Sequence, residues 1–249
     1  MPSRREYCAL VIGASSAIAQ QLIKQLSSDE QIKTIYAISR QHTNSPTGIK
    51  VVPLTCNNTE TEILANLEQI DTLLPVRYVF ICNGFLYGQQ PITQAEITPE
   101  KRLEDISPEN MLALMQSNML VPLMWLKHLV HQLPTKLESH IVIFSARVGS
   151  INDNRLGGWY SYRASKAALN MMIKNAAIEY GRRLKQAKII AFHPGTTDTP
   201  LSKPFQAKVA KEKLFTAEFV AAQLLSLLPN YPPNGQASFI DWQGQAIDW

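Results

Sequence analysis

Long apolar runs are missing from this chain. No stretch approaches the ~18 residues of a membrane span. The charged start Met-Pro-Ser-Arg-Arg-Glu leads into only six apolar residues before Gly13, too few for a secretion signal. A cytoplasmic protein with no membrane partner is the expectation. Cysteine is equally sparse: Cys8, Cys56 and Cys82 lack the even count and close spacing of a disulfide frame or zinc site, and read as small buried hydrophobes with no metal. Charge of one sign is lacking too, with 24 Lys+Arg against 20 Asp+Glu and a net +4. The densest basic groups, Arg182, Arg183, Lys185 and Lys188, then Lys203, Lys208, Lys211 and Lys213, read as solvated faces, so no nucleic-acid partner is expected. Glycine is short in one telling place. The stretch Val11 to Ala19 resembles a phosphate-binding turn, yet Gly13 is the one glycine in it.

What is present is rhythm. Short apolar runs at Tyr7–Ile12, Thr34–Ile38, Ile49–Leu54, Tyr78–Cys82, Ile141–Phe144, Lys188–Phe192 and Ser238–Ile240 read as strands. Between them lie helix-period segments: one running to Leu26, then Glu60–Ile70, Pro108–His131, Tyr160–Tyr180 and Ala217–Leu228. This βαβ alternation predicts an α/β fold, a doubly wound parallel sheet of about seven strands with helices on both faces. The even 45 % hydrophobic composition predicts one domain over residues 1–249. Two regions break the rhythm, Phe85–Ser107 and Pro194–Leu214. Both follow strand C-termini, the edge at which open α/β sheets bind ligands, and are expected to wall or cover a site.

Gly13 stands directly after a strand and before a helix, where free N–H groups and the helix dipole can hold a pyrophosphate. An alanine at the last position, Ala19, costs little, whereas the methyl of Ala17 is expected to push the ligand outward slightly. An N-capped helix with Ser15 or Ser16 as cap would look the same. The second motif is Tyr162-Arg163-Ala164-Ser165-Lys166 at a helix start. Tyr and Lys at i and i+4 share one face, so an ammonium sits near a phenol. Bringing a phenol from ~10 to ~7 requires about 4 kcal/mol. A unit charge at ~4 Å in an effective dielectric near 20 supplies about that before desolvation is counted.

Together these motifs resemble the short-chain dehydrogenase/reductase family. Gly13 to Ala19 lines up with its glycine-rich loop, Tyr162 to Lys166 with its catalytic motif, Asn118 with its helix asparagine, and Pro194-Gly195-Thr196-Thr197-Asp198-Thr199 with its PGxxxT segment. The run Gly149 to Asn154, then Gly157 to Tyr160, is most similar to the C-factor and sniffer-type carbonyl reductases. The resemblance implies a Rossmann-type NAD(P)-binding domain with Tyr162 as proton donor in reduction, Lys166 on the nicotinamide ribose and Asn118 holding a relay water. The family's serine register lands on Ala146; Ser145, one residue earlier, is the candidate, with Ser150 in reserve.

The expected cofactor-binding set is Gly13, Ser15, Ser16, Ala17, Ile18, Ser39, Arg40, Asn57, Asn83, Gly84, Tyr162, Lys166, Pro194, Gly195, Thr197 and Thr199. At the end of the second strand, where a carboxylate would accept from a ribose 2′-hydroxyl, the chain has Ser39 and Arg40. A guanidinium there favours a 2′-phosphate, hence NADP(H) over NAD(H). After the third strand, Asn57 or Cys56 would face adenine. The reading is an NADPH-dependent reductase of a small-molecule carbonyl, or dehydrogenase of the alcohol, with Leu201 to Leu214 closing over substrate and a possible homodimer or homotetramer. Two rivals are a nucleotide-binding signalling or regulatory protein with little turnover, motivated by the thin glycine loop and Ala146, and a structural partner subunit.

Overall fold

The computed structural model describes residues 5–41, 50–71, 73–89, 94 and 96–249. Seven strands form its main sheet: β1 (Tyr7–Ile12), β2 (Ile32–Ser39), β3 (Val51–Thr55), β4 (Val76–Ile81), β5 (Ser139–Phe144), β6 (Ala187–His193) and β7 (Ser238–Asp241). They lie in the order β7-β6-β5-β4-β1-β2-β3, all neighbours parallel. This is the Rossmann-type doubly wound sheet that the βαβ rhythm predicted. Its order reverses between β1 and β4, which opens a crevice at their carboxyl ends.

The strands read as continuous apolar runs because both faces are covered. Along β1, Leu10 and Ile12 join a core with Ile81, Trp125, Ile143 and Ile173, while Ala9 and Val11 join a second core with Leu22, Phe80, Val142 and Leu224. Successive side chains on a strand point to opposite faces, so each strand feeds both cores. Helices α1 (Ala17–Ser27) and α6 (Ala217–Leu227) cover one face; α2 (Glu60–Leu67), α4 (Val121–Leu129) and α5 (Tyr160–Arg183) cover the other. Hydroxyl caps start four helices: Ser16 on α1, Thr59 on α2, Ser107 on α3 (Pro108–Met115) and Thr216 on α6.

Several boundaries move from those expected. β2 starts two residues early, α2 stops at Leu67, and Ile49, which the sequence placed in the third strand, lies outside the described residues. The helix expected over Pro108–His131 is interrupted by a π-helical turn at Gln116–Leu120. Phe85–Ser107, of which 90–93 and 95 fall outside the description, contains an antiparallel pair, Gly88–Gln89 with Glu96–Ile97. In Pro194–Leu214, Thr196–Thr197 pairs with Leu214–Phe215, so hydrogen bonds tie both ends of that segment together. Lys208 within it has no described side-chain environment. Among the described residues no helix is long and apolar enough to cross a membrane, and no cluster of His, Cys, Asp and Glu could hold a metal. The three cysteines are free thiols.

Candidate active site

Two cavities open at the carboxyl edge of the sheet and share Ser15. One, of about 550 Å³, is lined by Ser15 to Ile18, Asn83, Gly84, Ser145, Ala146, Tyr162, Lys166 and the Pro194 segment. The other, of about 740 Å³, is lined by Arg40, Gln41, Asn57, Asn58 and the π turn. A molecule occupying both must run across the start of α1.

That start is built to meet an anion. Ser16 caps α1 by accepting from the Ala19 N–H at 3.3 Å, which leaves the Ala17 and Ile18 N–H groups without intrahelical acceptors, and the first turn carries no acidic side chain. Gly13 has φ +78°, and a Cβ there would lie 3.1 Å from the Cys82 carbonyl carbon and 3.2 Å from the Asn83 nitrogen. Glycine is required at that point by conformation and by the approach of β4. Ala17 is the first residue of α1 and Ala19 is buried in the core, so both accept a Cβ in helical backbone.

The remaining cofactor candidates divide by cavity. Arg40 and Asn57 line the larger one. Cys56 is buried and does not line it, whereas Asn57 does, with its N–H and Nδ2 donating to the Glu62 carboxylate, Nδ2 at 3.0 Å. The Ser39 hydroxyl donates to the Gln41 carbonyl and shapes the loop. Asn83 and Gly84 line the smaller cavity, and the Asn83 Oδ1 is buried with no partner. A buried polar atom left so is costly unless a ligand group meets it. Pro194, Gly195, Thr197 and Thr199 line the same cavity; Thr197 Oγ1 donates to Pro194 O at 3.4 Å and Thr199 Oγ1 to Thr197 O at 3.3 Å. These donors and the paired cavities fit an extended dinucleotide.

Tyr162 and Lys166 occupy successive turns of α5, 7 % and 2 % exposed. Lys166 Nζ lies 5.9 Å from the Tyr162 ring centroid and donates to Phe144 O at 2.9 Å. Burial pushes the Tyr162 phenol well above its ordinary range and draws the Lys166 ammonium down to about 7. This desolvation favours the neutral form of each group and opposes the attraction between ammonium and phenolate. The phenol is therefore held protonated.

Asn118 sits at the centre of the π turn, which the Val121 N–H closes by donating to Gln116 O. Four residues on, Pro122 has no N–H to return to the Asn118 carbonyl. The Asn118 side chain is fully buried: Oδ1 accepts from the Phe85 N–H at 2.7 Å, and Nδ2 donates to Phe85 O at 2.9 Å and to Ser165 Oγ at 3.0 Å. Ser165 in turn donates to Tyr162 O at 2.8 Å. Asn118 thus ties the loop after β4 to the helix that carries Tyr162.

Ser145 follows β5 and lines the cavity, but its hydroxyl donates to Asn170 Oδ1 at 2.6 Å. Asn170 is one turn beyond Lys166 on the same helix face. Ala146, in the register of the family's serine, lines the cavity beside it. Ser150 is buried and accepts from the Asp153 N–H at 3.1 Å, away from the cavity lining. Among the lining residues that the sequence reading did not single out are His193 and Trp159. His193 is held near pKa 4 by burial, hence neutral, with Nδ1 unpartnered. Trp159 precedes α5 at φ 54°, a left-handed conformation costing a bulky residue about 1–2 kcal/mol. A single sequence shows no sign of either property, because burial and φ at these points are set by distant contacts.

Comparison with known proteins places the fold and the family. A 107-residue stretch is 35 % identical to the 1-hydroxy-2-glutathionyl-2-methyl-3-butene dehydrogenase of Rhodococcus sp. (strain AD45), covering 43 % of this chain and 45 % of that protein, less than half its length. A 105-residue stretch is 29 % identical to the C-signal of Myxococcus xanthus, over 42 % of this chain and 58 % of that one. The fold superimposes on the carbonyl reductase Sniffer of D. melanogaster with a TM-score of 0.82 at 18 % identity, covering 98 % of this chain and 100 % of that chain. Residues 7–210 match the family model described as short chain dehydrogenase, and the chain belongs to that family of nicotinamide-dependent oxidoreductases.

Proposed function

We propose that residues 1–249 act as one dinucleotide-binding unit that reduces the carbonyl group of a small molecule with NADPH. The observation that carries this reading is the Tyr162 phenol: buried, protonated, one helical turn from Lys166 and open to a cavity that joins the dinucleotide groove at Ser15. A bound dihydronicotinamide supplies the hydride and is oxidised. Tyr162 donates its proton to the oxygen that becomes the alcohol, Lys166 moves from the Phe144 carbonyl to the ribose hydroxyls, and the Asn118 carbonyl holds the water that returns a proton. Arg40, which lines the far cavity with no described ion-pair partner, receives the 2′-phosphate. Ser15 to Ile18 hold the diphosphate through backbone N–H groups, while Thr197 and Thr199 meet the carboxamide and diphosphate.

Ser145 serves as second donor to the carbonyl only after its proton leaves Asn170. That bond, with Ala146 beside it, is what favours the second reading, a nucleotide-binding signalling protein of low turnover. One pair of measurements separates the two. Tyr162→Phe is expected to lower NADPH-dependent carbonyl reduction at least a thousandfold while leaving NADPH affinity within a few-fold. Saturable NADPH binding without reduction of any carbonyl would establish the second reading instead.

A further inference from the structure

The chain enters α5 through three consecutive left-handed residues, Gly157 (φ 64°), Gly158 (φ 65°) and Trp159 (φ 54°). Two are glycines, which adopt this backbone freely; tryptophan does not, and holds it only where its surroundings over-determine it. The contacts that do so come from both sides. The Trp159 N–H donates to the Glu100 carbonyl, and the buried Glu100 carboxylate accepts from the Ser161 hydroxyl and, at 3.2 Å, from the Ser161 N–H. Arg163 reaches back from the first turn, donating through Nε to Gly158 O at 2.9 Å and through Nη2 to Gly157 O at 3.1 Å. A third glycine would relieve the strain, so the bulk at this position has a use in the site.

The ring's placement shows what the use is. Trp159 meets Tyr162 edge-on, with centroids 6.1 Å apart at 76°, and Phe205 at 4.9 Å and 61°. Phe205 meets Tyr87 at 5.6 Å and 82°, and the Tyr87 hydroxyl donates to the Pro200 carbonyl, so the covering segment is fastened over the same corner. Trp159, Tyr162 and Phe205 wall one cavity together with Leu86, Val148 and Leu201. Its cation at the rim, Arg147, is neutralised by Asp241 at 3.0 Å and Asp153 at 3.4 Å. The other lining cation, Lys166, donates to the Phe144 carbonyl at 2.9 Å on the cofactor side, so the corner walled by Trp159, Tyr162 and Phe205 is aromatic and apolar.

We infer that Trp159 is the specificity-determining residue of this site, and that it selects uncharged carbonyl compounds whose carbonyl carbon bears an aryl ring over saturated analogues of equal size. Edge-to-face and offset contacts with such a ring favour it over a cyclohexyl group by a few-fold to about tenfold beyond area burial. The inference rests on the reductase reading above, and its test is separable from it. The measurement is the ratio of kcat/KM for acetophenone to that for cyclohexyl methyl ketone with NADPH, in the wild-type protein, Trp159→Gly and Trp159→Phe. Comparing ratios between proteins cancels the difference in intrinsic reactivity of the two ketones. Glycine suits φ 54°, and a thermal melt of Trp159→Gly verifies that it folds. The aryl preference is expected to fall about tenfold in Trp159→Gly and to return in Trp159→Phe; an unchanged ratio in Trp159→Gly overturns the inference. Should neither ketone be reduced, that outcome bears on the reductase reading and not on Trp159. Calorimetric titration of the NADPH-loaded protein with both ketones then decides for Trp159: equal affinities overturn its role, and an aryl preference lost in Trp159→Gly supports it.

Discussion

Lys166 is where a residue's chemistry and its burial oppose each other most directly. An ordinary lysine keeps its charge through neutral pH, but this one, 2 % exposed, is drawn down to about 7 by desolvation. Its folded pKa lies below its unfolded value, so between about pH 7 and 10.5 the unfolded chain binds more protons and stability rises with pH. Below that window the destabilisation is fully present. Lys166→Met removes it, and the stability advantage of the variant over the wild type is expected to shrink by about 2–4 kcal/mol between pH 7 and pH 10. Urea unfolding of both proteins across that range measures this; a constant difference would show that the ammonium is not desolvated in the free protein. Both Lys166 and Tyr162 were legible as a pair from their spacing. Their titration was not, because it depends on Phe144, Trp159 and the Pro194 segment folding over them.

At the scale of elements, the π turn at Gln116–Leu120 links backbone geometry to the site. A wide turn of this kind inserts a residue into an otherwise α-helical register, and it recurs at functional positions. Here it places Asn118 against Phe85 and Ser165, and Pro122 keeps an N–H away from its carbonyl. Pro122→Ala supplies that N–H. The expected result is a helix at least as stable as before, with carbonyl reduction lowered tenfold or more because the relay water loses its acceptor. Equal turnover in the variant would remove the Asn118 carbonyl from the mechanism. The sequence announced a helix over this whole region, since apolar periodicity survives one inserted residue. It did not announce the π turn, which coincides with the missing N–H of Pro122 and with side-chain bonds from Asn118 to a loop 33 residues away.

For the whole molecule, the two cavities that share Ser15 make cofactor binding a property of the sheet edge as a whole, drawing on the ends of β1 to β6 at once. NADPH that binds the folded chain alone raises stability by about 2.7 kcal/mol at a hundredfold excess over its Kd. Thermal unfolding with NADPH and with NADH is therefore expected to show the larger shift for NADPH, and Arg40→Asp to reverse that order. If the order is the same in the variant, the 2′-phosphate is met elsewhere. The sheet was readable from the chain: alternating apolar runs and amphipathic segments admit few arrangements other than a parallel sheet covered on both faces.

What the sequence determined by itself was local: where strands and helices alternate, that Gly13 must turn the chain, and that Tyr162 and Lys166 share a helix face. Those follow from periodicities and backbone preferences that act within a few residues. The tertiary structure decided the rest. Ser145 turns to Asn170 because α5 brings an acceptor within 2.6 Å across 25 residues. Trp159 is held left-handed because Glu100 and Arg163 close on it from opposite sides. Burial, which no segment possesses alone, sets the charge of the two groups that would move the proton.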